Sequence, residues 1–394
     1  MTLRTLDDLG NLEGLRVFLR ADLNVPLRDG KVTDDARIRA TVPTIEELLA
    51  RGAALVVASH LGRPNGLVTD DLRLAPVGHA LAEALGTPVA ALDVVTPDAL
   101  PDDDIVLLEN LRFDPGEEAN DVSFAGKLAE LADVYVDDAF GAVHRAHASV
   151  SALPELMLAS GRPAVAGRLV EREVAVLGRL LADPDRPFVA ILGGAKISDK
   201  LTVVTSLVER VEAIAIGGAM AFTFLVAQGG SVGRSLVEQD RLDDVREAME
   251  AAARRGVPIH LPTDVVAAAS ADADASTMIV PAGEIPEDLM GLDIGPDSVA
   301  AFTEVVGSAK TVLWNGPMGV FELAPFAAGT LGVARACAEA SAFTVVGGGD
   351  SLAAVSDAGL ESSFDHLSTG GGASLEFLEG RALPGITILE DPTP

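Results

Sequence analysis

A repeated alternation constrains the fold most: short apolar runs, each breaking off into charged residues or glycine, with amphipathic helical stretches between them. In the first half the runs cover residues 15–19, 53–58, 105–108 and 134–136, and helical spacing appears over residues 76–85 and 124–131. In the second half they cover residues 189–192, 213–216, 258–261, 311–314 and 343–346. Runs this short and continuous suit strands buried on both faces, and their alternation with helices predicts parallel sheets flanked by helices. Sheets of that kind bind ligands where the carboxyl ends of the strands open. The residues just after each run are therefore where function should lie.

Those residues differ between the halves. In the first, residues 15–19 lead into Arg20, Asp22 and Asn24, and residues 53–58 into His60 and Arg63. Residues 105–108 lead into Arg112, and residues 134–136 into His144, Arg145 and His147. Thr33 is placed to cap a helix over residues 34–51, with Arg37 in its first turn and Gly52 just past its end. Singly, each arginine reads as an ordinary surface group. Gathered at one sheet edge, they predict a small anion with several negative oxygens, gripped by forked guanidinium contacts. His144 and His147 have a spacing that also suits a metal, but no histidine or cysteine cluster accompanies them, so substrate contact or packing is preferred.

In the second half glycine replaces arginine. Residues 189–192 run into Gly193 and Gly194 and then into Lys196 and Lys200, two of only five lysines in the chain. Helical spacing from Ile197 onward places both lysines on one face at a helix start, where their repulsion asks for a bound negative group. The later runs end in Gly217 and Gly218, in Asp264, in Asn315, Gly316 and Pro317 with Glu322 beyond, and in Gly347, Gly348, Gly349, Asp350 and Ser351. Gly370, Gly371 and Gly372 form one more such turn before a helix. Backbone amides at glycine turns bind phosphates, Asp350 offers the hard oxygen that Mg²⁺ prefers, and Glu322 is placed to accept from a ribose hydroxyl. Neither GxxxxGK[ST] nor GxGxxG occurs, so the nucleotide reading rests on several strand ends together.

Length and charge narrow the reading. A chain of 394 residues suits two domains, and the helical stretch over residues 164–183 is the expected connection. With 59 acidic against 29 basic residues the formal net charge is −30, which argues against nucleic acid and anionic membrane as partners. A single cysteine, Cys337, excludes an internal disulfide framework, and no apolar run of about 18 residues occurs. A cytoplasmic protein is expected. A basic anion site in one half and a phosphate-cradling site in the other point to phosphoryl transfer across a cleft.

The stretches FLRADLNVP, SHLGRP, LLENLRF, DDAFGAVHRAH, ILGGAKISDK, WNGPMGVFE, VVGGGDS and STGGGASLEFLEG resemble the phosphoglycerate kinase family, in its order and at its spacings from Phe18 to Gly380. The resemblance implies an α/β fold of two Rossmann-like three-layer domains with parallel sheets, joined by an interdomain helix. Its implied divisions are residues 1–165, a helix over 166–183, residues 184–378, and a tail over 379–394 that returns to the first domain. The implied reaction passes a phosphoryl group between ATP and the carboxylate of 3-phosphoglycerate, with Mg²⁺ accompanying the nucleotide, in a monomer that closes its domains. Asp22, Asn24, Arg37, His60, Arg63, Arg112 and Arg145 match the family's 3-phosphoglycerate site. Gly193, Lys196, Lys200, Gly217, Gly291, Asn315, Pro317, Glu322, Gly348, Gly349, Asp350 and Ser351 match its nucleotide site, with Asp350 the metal contact. Arg37, Lys196 and the amides of Gly370, Gly371 and Gly372 match the groups that stabilise the moving phosphoryl. Ala219 and Val226 depart from the usual glycine and lysine. A nicotinamide-dependent dehydrogenase would share paired α/β domains but requires the absent GxGxxG, and a non-catalytic binder of a phosphorylated sugar acid would share the anion site.

Overall fold

The computed structural model describes residues 2–92, 100–101 and 103–391. Parts of the expected first domain (Met1, residues 93–99 and Asp102) and of the expected tail (residues 392–394) lie outside these residues. The chain divides into two units, Met1–Ala175 with Ala382–Pro394, and Val176–Arg381.

The first unit is built on six parallel strands: β1 (Arg16–Ala21), β2 (Ala54–Ala58), β3 (Ala90–Leu92), β4 (Ile105–Leu108), β5 (Val134–Asp138) and β6 (Ala164–Ala166), in the order β3-β4-β2-β1-β5-β6. The central runs are apolar throughout because both faces are covered, and Leu19, Val57, Leu107 and Val136 are almost fully buried. Strand β1 runs further than the apolar pattern suggests, so Arg20 lies inside it, paired in register with Ala58 and Asp137 and buried completely.

Helix α1 (Ala36–Ala50) starts two residues later than expected. Thr33 does not cap it: the Thr33 hydroxyl donates to the Pro26 carbonyl at 3.3 Å, and the Asp34 carboxylate accepts from the Ala36 N–H at 2.9 Å. The continuous helix expected over residues 164–183 is also corrected. Its first three residues are the edge strand β6, and helix α2 covers Arg168–Ala182. The switch follows from Asp138, which accepts from the Leu169 N–H at 2.8 Å and so sets the helix start there. Arg168 holds that start by ion pairs to Asp7 at 2.6 Å, Glu47 at 2.8 Å and Glu171 at 2.8 Å. The end of the chain is fastened to its beginning, since Arg4 N–H donates to Leu389 O and Asp391 N–H to Thr2 O, both at 2.9 Å.

The second unit carries β7 (Phe188–Leu192), β8 (Ala213–Ile216), β9 (Ile259–His260), then β10 (Asp264–Ala268), β11 (Met278–Pro281) and β12 (Met290–Ile294), and finally β13 (Thr311–Asn315), β14 (Phe343–Gly347) and β15 (His366–Ser368). Six of these pair in parallel in the order β9-β8-β7-β13-β14-β15. Numbered within that sheet the order is 3-2-1-4-5-6, with its topological switch point between β7 and β13. The remaining three form an antiparallel sheet, β11-β10-β12, with a small core of its own around Val265, Ala267 and Val280. That sheet corrects the reading of Asp264 as a strand-end ligand. Its carboxylate accepts from the Asp297 and Ser298 N–H groups at 3.1 and 2.8 Å and so holds the start of α4 (Pro296–Gly307). Among the described residues no helix is long and apolar enough to cross a membrane.

Candidate functional site

In the first unit the expected basic groups follow the ends of β1, β2, β4 and β5, with Arg37 on α1. Arg37 Nη1 donates to both Asp22 carboxylate oxygens at 3.1 Å and to the Asn24 carbonyl at 3.2 Å. The Asn24 side chain accepts from the Gly62 N–H at 2.9 Å, tying the β1 exit to the β2 exit. Asp22 and Asn24 thus act as a mount for Arg37, which makes all three contacts through Nη1 and is 32% exposed. His60 and Arg112 are buried. Arg112 Nη1 donates to the Gly62 carbonyl at 2.7 Å and its Nε lies 3.4 Å from Glu118. Arg63 and Arg145 are exposed.

His60, Arg112 and His147 lie close enough to act on one another electrostatically. His60 is held well below the usual histidine range, first by burial and then by Arg20, Arg112, Arg37 and His147. Burial and then Arg112, Arg20, Arg145 and His144 push His147 down to about 4. Burial likewise lowers Arg112. Each group is a cost to the next unless an anion sits among them. Sequence reasoning left His147 between substrate contact and packing; its buried Nδ1 has no hydrogen-bond partner among the described residues. The HRAH stretch was the available signal.

The second unit has a cavity of about 430 Å³ whose walls are largely apolar, with Phe222, Leu236, Leu292, Met318 and Val320 prominent. That volume suits a small organic ligand. Of the expected nucleotide residues, Gly291, Pro317, Glu322 and Asp350 line it, and Gly193 and Gly217 immediately precede the lining residues Gly194 and Gly218. The departure Ala219 lines it too. Phe222, Leu236 and Asp293 were missed, because they come from the helix after Gly218, a loop and the unforeseen antiparallel sheet. Asp293 is a buried carboxyl, pushed up to about 7 by burial against the donors Gly329 N–H and Ile294 N–H.

The glycines here do something other than what the sequence suggested. The N–H groups of Gly193, Gly194, Gly217 and Gly218 already donate to Asn315 O, Pro317 O, Leu192 O and Met318 O, at 2.9, 2.9, 2.9 and 3.1 Å. A Cβ on Gly193 would strike the Pro317 carbonyl, and one on Gly217 the Met318 sulfur. Glycine is required because the ends of β7, β8 and β13 pack backbone against backbone.

Lys200 belongs to the same knot. Its Nζ donates to the Gly193 carbonyl at 2.6 Å and the Asn315 carbonyl at 2.9 Å, bridging β7 and β13 at the switch point. Burial pushes its ammonium down to about 8, against the opposing charges of Asp350 and Asp199. The two lysines do not share a helix face. Helix α3 (Leu201–Val208) has Lys200 as its N-cap, while Lys196 is exposed in the preceding loop. Lys196 is therefore the lysine free to meet an anion.

First-turn helix amides lie elsewhere. Helix α5 (Gly349–Asp357) presents its first-turn N–H groups, at Gly349, Asp350 and Ser351, after Gly348 at φ +93°. Asp350 is exposed, whereas the Ser351 hydroxyl is buried and accepts from the Gly316 N–H at 2.6 Å. The buried Asn315 side chain lies against Gly347 and Gly348. Gly371, at φ +54° and ψ −115°, sets the start of α6 (Gly372–Leu378), a conformation that only glycine adopts readily.

A 3-2-1-4-5-6 parallel sheet with its cavity lined by residues beside the switch point defines the second unit as a doubly wound α/β nucleotide fold. The phosphoglycerate kinase family model matches residues 6–381, and the chain belongs to that family. It is 51% identical over 401 residues to a phosphoglycerate kinase of Roseiflexus castenholzii, covering 99% of this chain and 100% of that one. It is 54% identical over 407 residues to one of Salinispora arenicola, with the same coverage of 99% and 100%. The solved structure of phosphoglycerate kinase from Coxiella burnetii superposes with a TM-score of 0.87 at 39% identity, covering 98% of each chain. That from Pyrococcus horikoshii gives 0.86 at 31% identity, covering 99% of this chain and 98% of that one.

Proposed function

We propose that this protein catalyses reversible phosphoryl transfer between ATP and the carboxylate of 3-phosphoglycerate, giving ADP and 1,3-bisphosphoglycerate. The observation that carries the reading is the pairing, in a member of this family, of a guanidinium-rich pocket in one unit with an apolar cavity beside glycine-capped helix starts in the other. The first takes the three-carbon acid and the second the nucleotide. Arg37, Arg63, Arg112 and Arg145 grip the acid's phosphate and carboxylate, and Phe222, Leu236 and Val320 enclose the base.

The acceptor is a carboxylate already ionised at neutral pH, so no general base is needed, and catalysis reduces to positioning and charge stabilisation. On the first unit's side Arg37, locked by Asp22, offers fixed positive charge. On the second unit's side Lys196 offers charge, and the amides of Gly370, Gly371 and Gly372 offer N–H donors, that of Gly370 donating to the Ser368 hydroxyl at 3.4 Å. Direct transfer requires both bound ligands in line, so closure of the two units is the proposed route. Small-angle scattering should show the radius of gyration falling when both ligands are present and little when either is alone. An unchanged value in an active protein would refute closure.

Among the described residues no three His, Cys, Asp or Glu side chains gather as a metal cluster. Exposed Asp350, in the first turn of α5, fits a cation that brings most of its coordination from nucleotide phosphates, as Mg²⁺ does. When bound, Mg²⁺ would neutralise phosphate charge. Asp350→Asn should therefore weaken Mg²⁺-ADP binding about ten-fold or more, by analogy with losing one charge-assisted contact of roughly 1.5–3 kcal/mol. Affinity for 3-phosphoglycerate should change little. Titration calorimetry with each ligand separately checks this, and equal losses would overturn the division of labour. Formation of ATP from ADP, Mg²⁺ and 1,3-bisphosphoglycerate tests the function itself; a folded protein that binds both ligands without turnover would leave only the binding reading.

A further inference from the structure

Arg20 is fully buried in β1, and the transfer chemistry gives it no task. Its contacts form a directed chain. Arg20 Nε donates to Ser149 Oγ at 2.8 Å, Ser149 Oγ donates to Glu117 Oε1 at 2.6 Å, and the Ser149 N–H donates to Glu117 Oε2 at 2.9 Å. Glu117 and Ser149 are themselves fully buried. At the other end Arg20 Nη2 lies 3.2 Å from His60 Nδ1. A guanidinium has five donors and no acceptor, so it settles the direction of every bond it makes. Ser149 must accept from Arg20 and pass its own proton towards Glu117. His60 Nδ1 must accept as well, and so carries a lone pair. An imidazole with that nitrogen bare holds its proton on Nε2 and is neutral. Nε2 has no hydrogen-bond partner among the described residues and is not one of the buried orphan atoms, so it remains open to a ligand.

We infer that Arg20 is a positioning residue: anchored by Ser149 and Glu117, it fixes His60 as the neutral imidazole with its proton on Nε2. The pocket then presents one uncharged, directional donor among its guanidinium groups. The inference rests on reading this pocket as the site of the phosphorylated acid. Guanidinium forks serve the phosphate dianion. A single neutral donor suits a hydroxyl or carboxylate oxygen, where direction matters more than charge, and so it orients the three-carbon acid rather than merely holding it. The charged and titratable groups acting on His60 are Arg20 from β1, Arg37 from α1, Arg112 and His147, and all of them disfavour its protonation. The tautomer should persist well into mildly acidic solution.

The test uses ¹⁵N-labelled wild-type protein without ligand, with the His60 ring assigned by comparison with His60→Gln. Long-range ¹H–¹⁵N correlation should show Nδ1 as a bare, pyridine-type nitrogen and Nε2 as the protonated one from about pH 5 to 8, a window below and above the ordinary histidine range. A protonated Nδ1, or two interconverting tautomers, overturns the inference without any substitution being needed. Ser149→Ala provides the second arm. With the anchor removed, His60 should populate both tautomers, and KM for 3-phosphoglycerate should rise about five-fold, the equivalent of one neutral hydrogen bond, by more than kcat falls. An unchanged tautomer in folded Ser149→Ala removes Ser149 and Glu117 from the arrangement and overturns it as stated. If the wild-type tautomer is as expected but 3-phosphoglycerate does not bind, the functional reading fails and the tautomer assignment stands.

Discussion

Replacing Lys196 by alanine should lower kcat by about 30- to 900-fold, or roughly 2–4 kcal/mol, while KM for either substrate changes far less. A charge aimed at the transferring phosphoryl acts more strongly in the transition state than in the ground state, so its loss appears in kcat. The structure sharpens this expectation by separating the two lysines. Lys200 is consumed by the Gly193 and Asn315 carbonyls, whereas Lys196 is exposed in the loop that follows Gly194. Initial-rate kinetics on the folded variant decide the matter. A kcat within a few-fold of wild type would make Lys196 an ordinary surface lysine and leave the phosphoryl to Arg37 and the α6 amides.

The largest expected effect on stability is at Gly316. It sits at φ +98°, where a side chain is strained, and a Cβ there would run into the Gly193 carbonyl and the Lys200 ammonium. Gly316→Ala should cost about 3–5 kcal/mol, combining backbone strain with overpacking of a rigid backbone contact. The measurement is convenient because Trp314, two residues away and donating to the Gly316 carbonyl at 2.8 Å, is the only tryptophan in the chain. Urea denaturation followed by its fluorescence reports the second unit directly. A loss under about 1 kcal/mol would mean that β7 and β13 can separate cheaply at the switch point, contrary to the packing described.

Much of the scaffold was legible because parallel strands leave a plain trace. Residues 105–108 and 213–216 are strands over those very limits, since a run buried on both faces must be apolar from end to end. Asn24, His60, Arg112, Gly193, Gly217 and Gly348 also fell just past strand ends, as that architecture requires. Three things were hidden for physical reasons. The antiparallel sheet from Asp264 to Ile294 includes a strand at Met278–Pro281 that is apolar in sequence yet exposed at three of its four residues, so its apolar run does not report burial on both faces. Residues 164–166 are small and apolar, acceptable in helix or strand, and only the pairing with β5 decides. Arg20 looked like a ligand because charge normally marks the end of a buried run; the acceptors that let it stay inside come from Ser149, far along the chain. The glycine amides show the same limit. A sequence says that glycine is needed, but not whether the reason is a phosphate or a neighbouring carbonyl.

The fastening of residues 389–391 to Thr2, Leu3 and Arg4 bears on how the chain is made. A ribosome releases the first unit's strands early, yet the backbone partners that complete that unit emerge only after residues 176–381 have been synthesised. At about 5–20 residues per second that interval is roughly 10–40 s, long compared with the folding of a domain of this size. The second unit has all its parts first, so the usual order, in which the amino-terminal domain matures before the one behind it, is reversed at the last step. Until the tail arrives, the nascent first unit is an unfinished client for chaperones, and a truncation near residue 381 would leave it so permanently while sparing its neighbour.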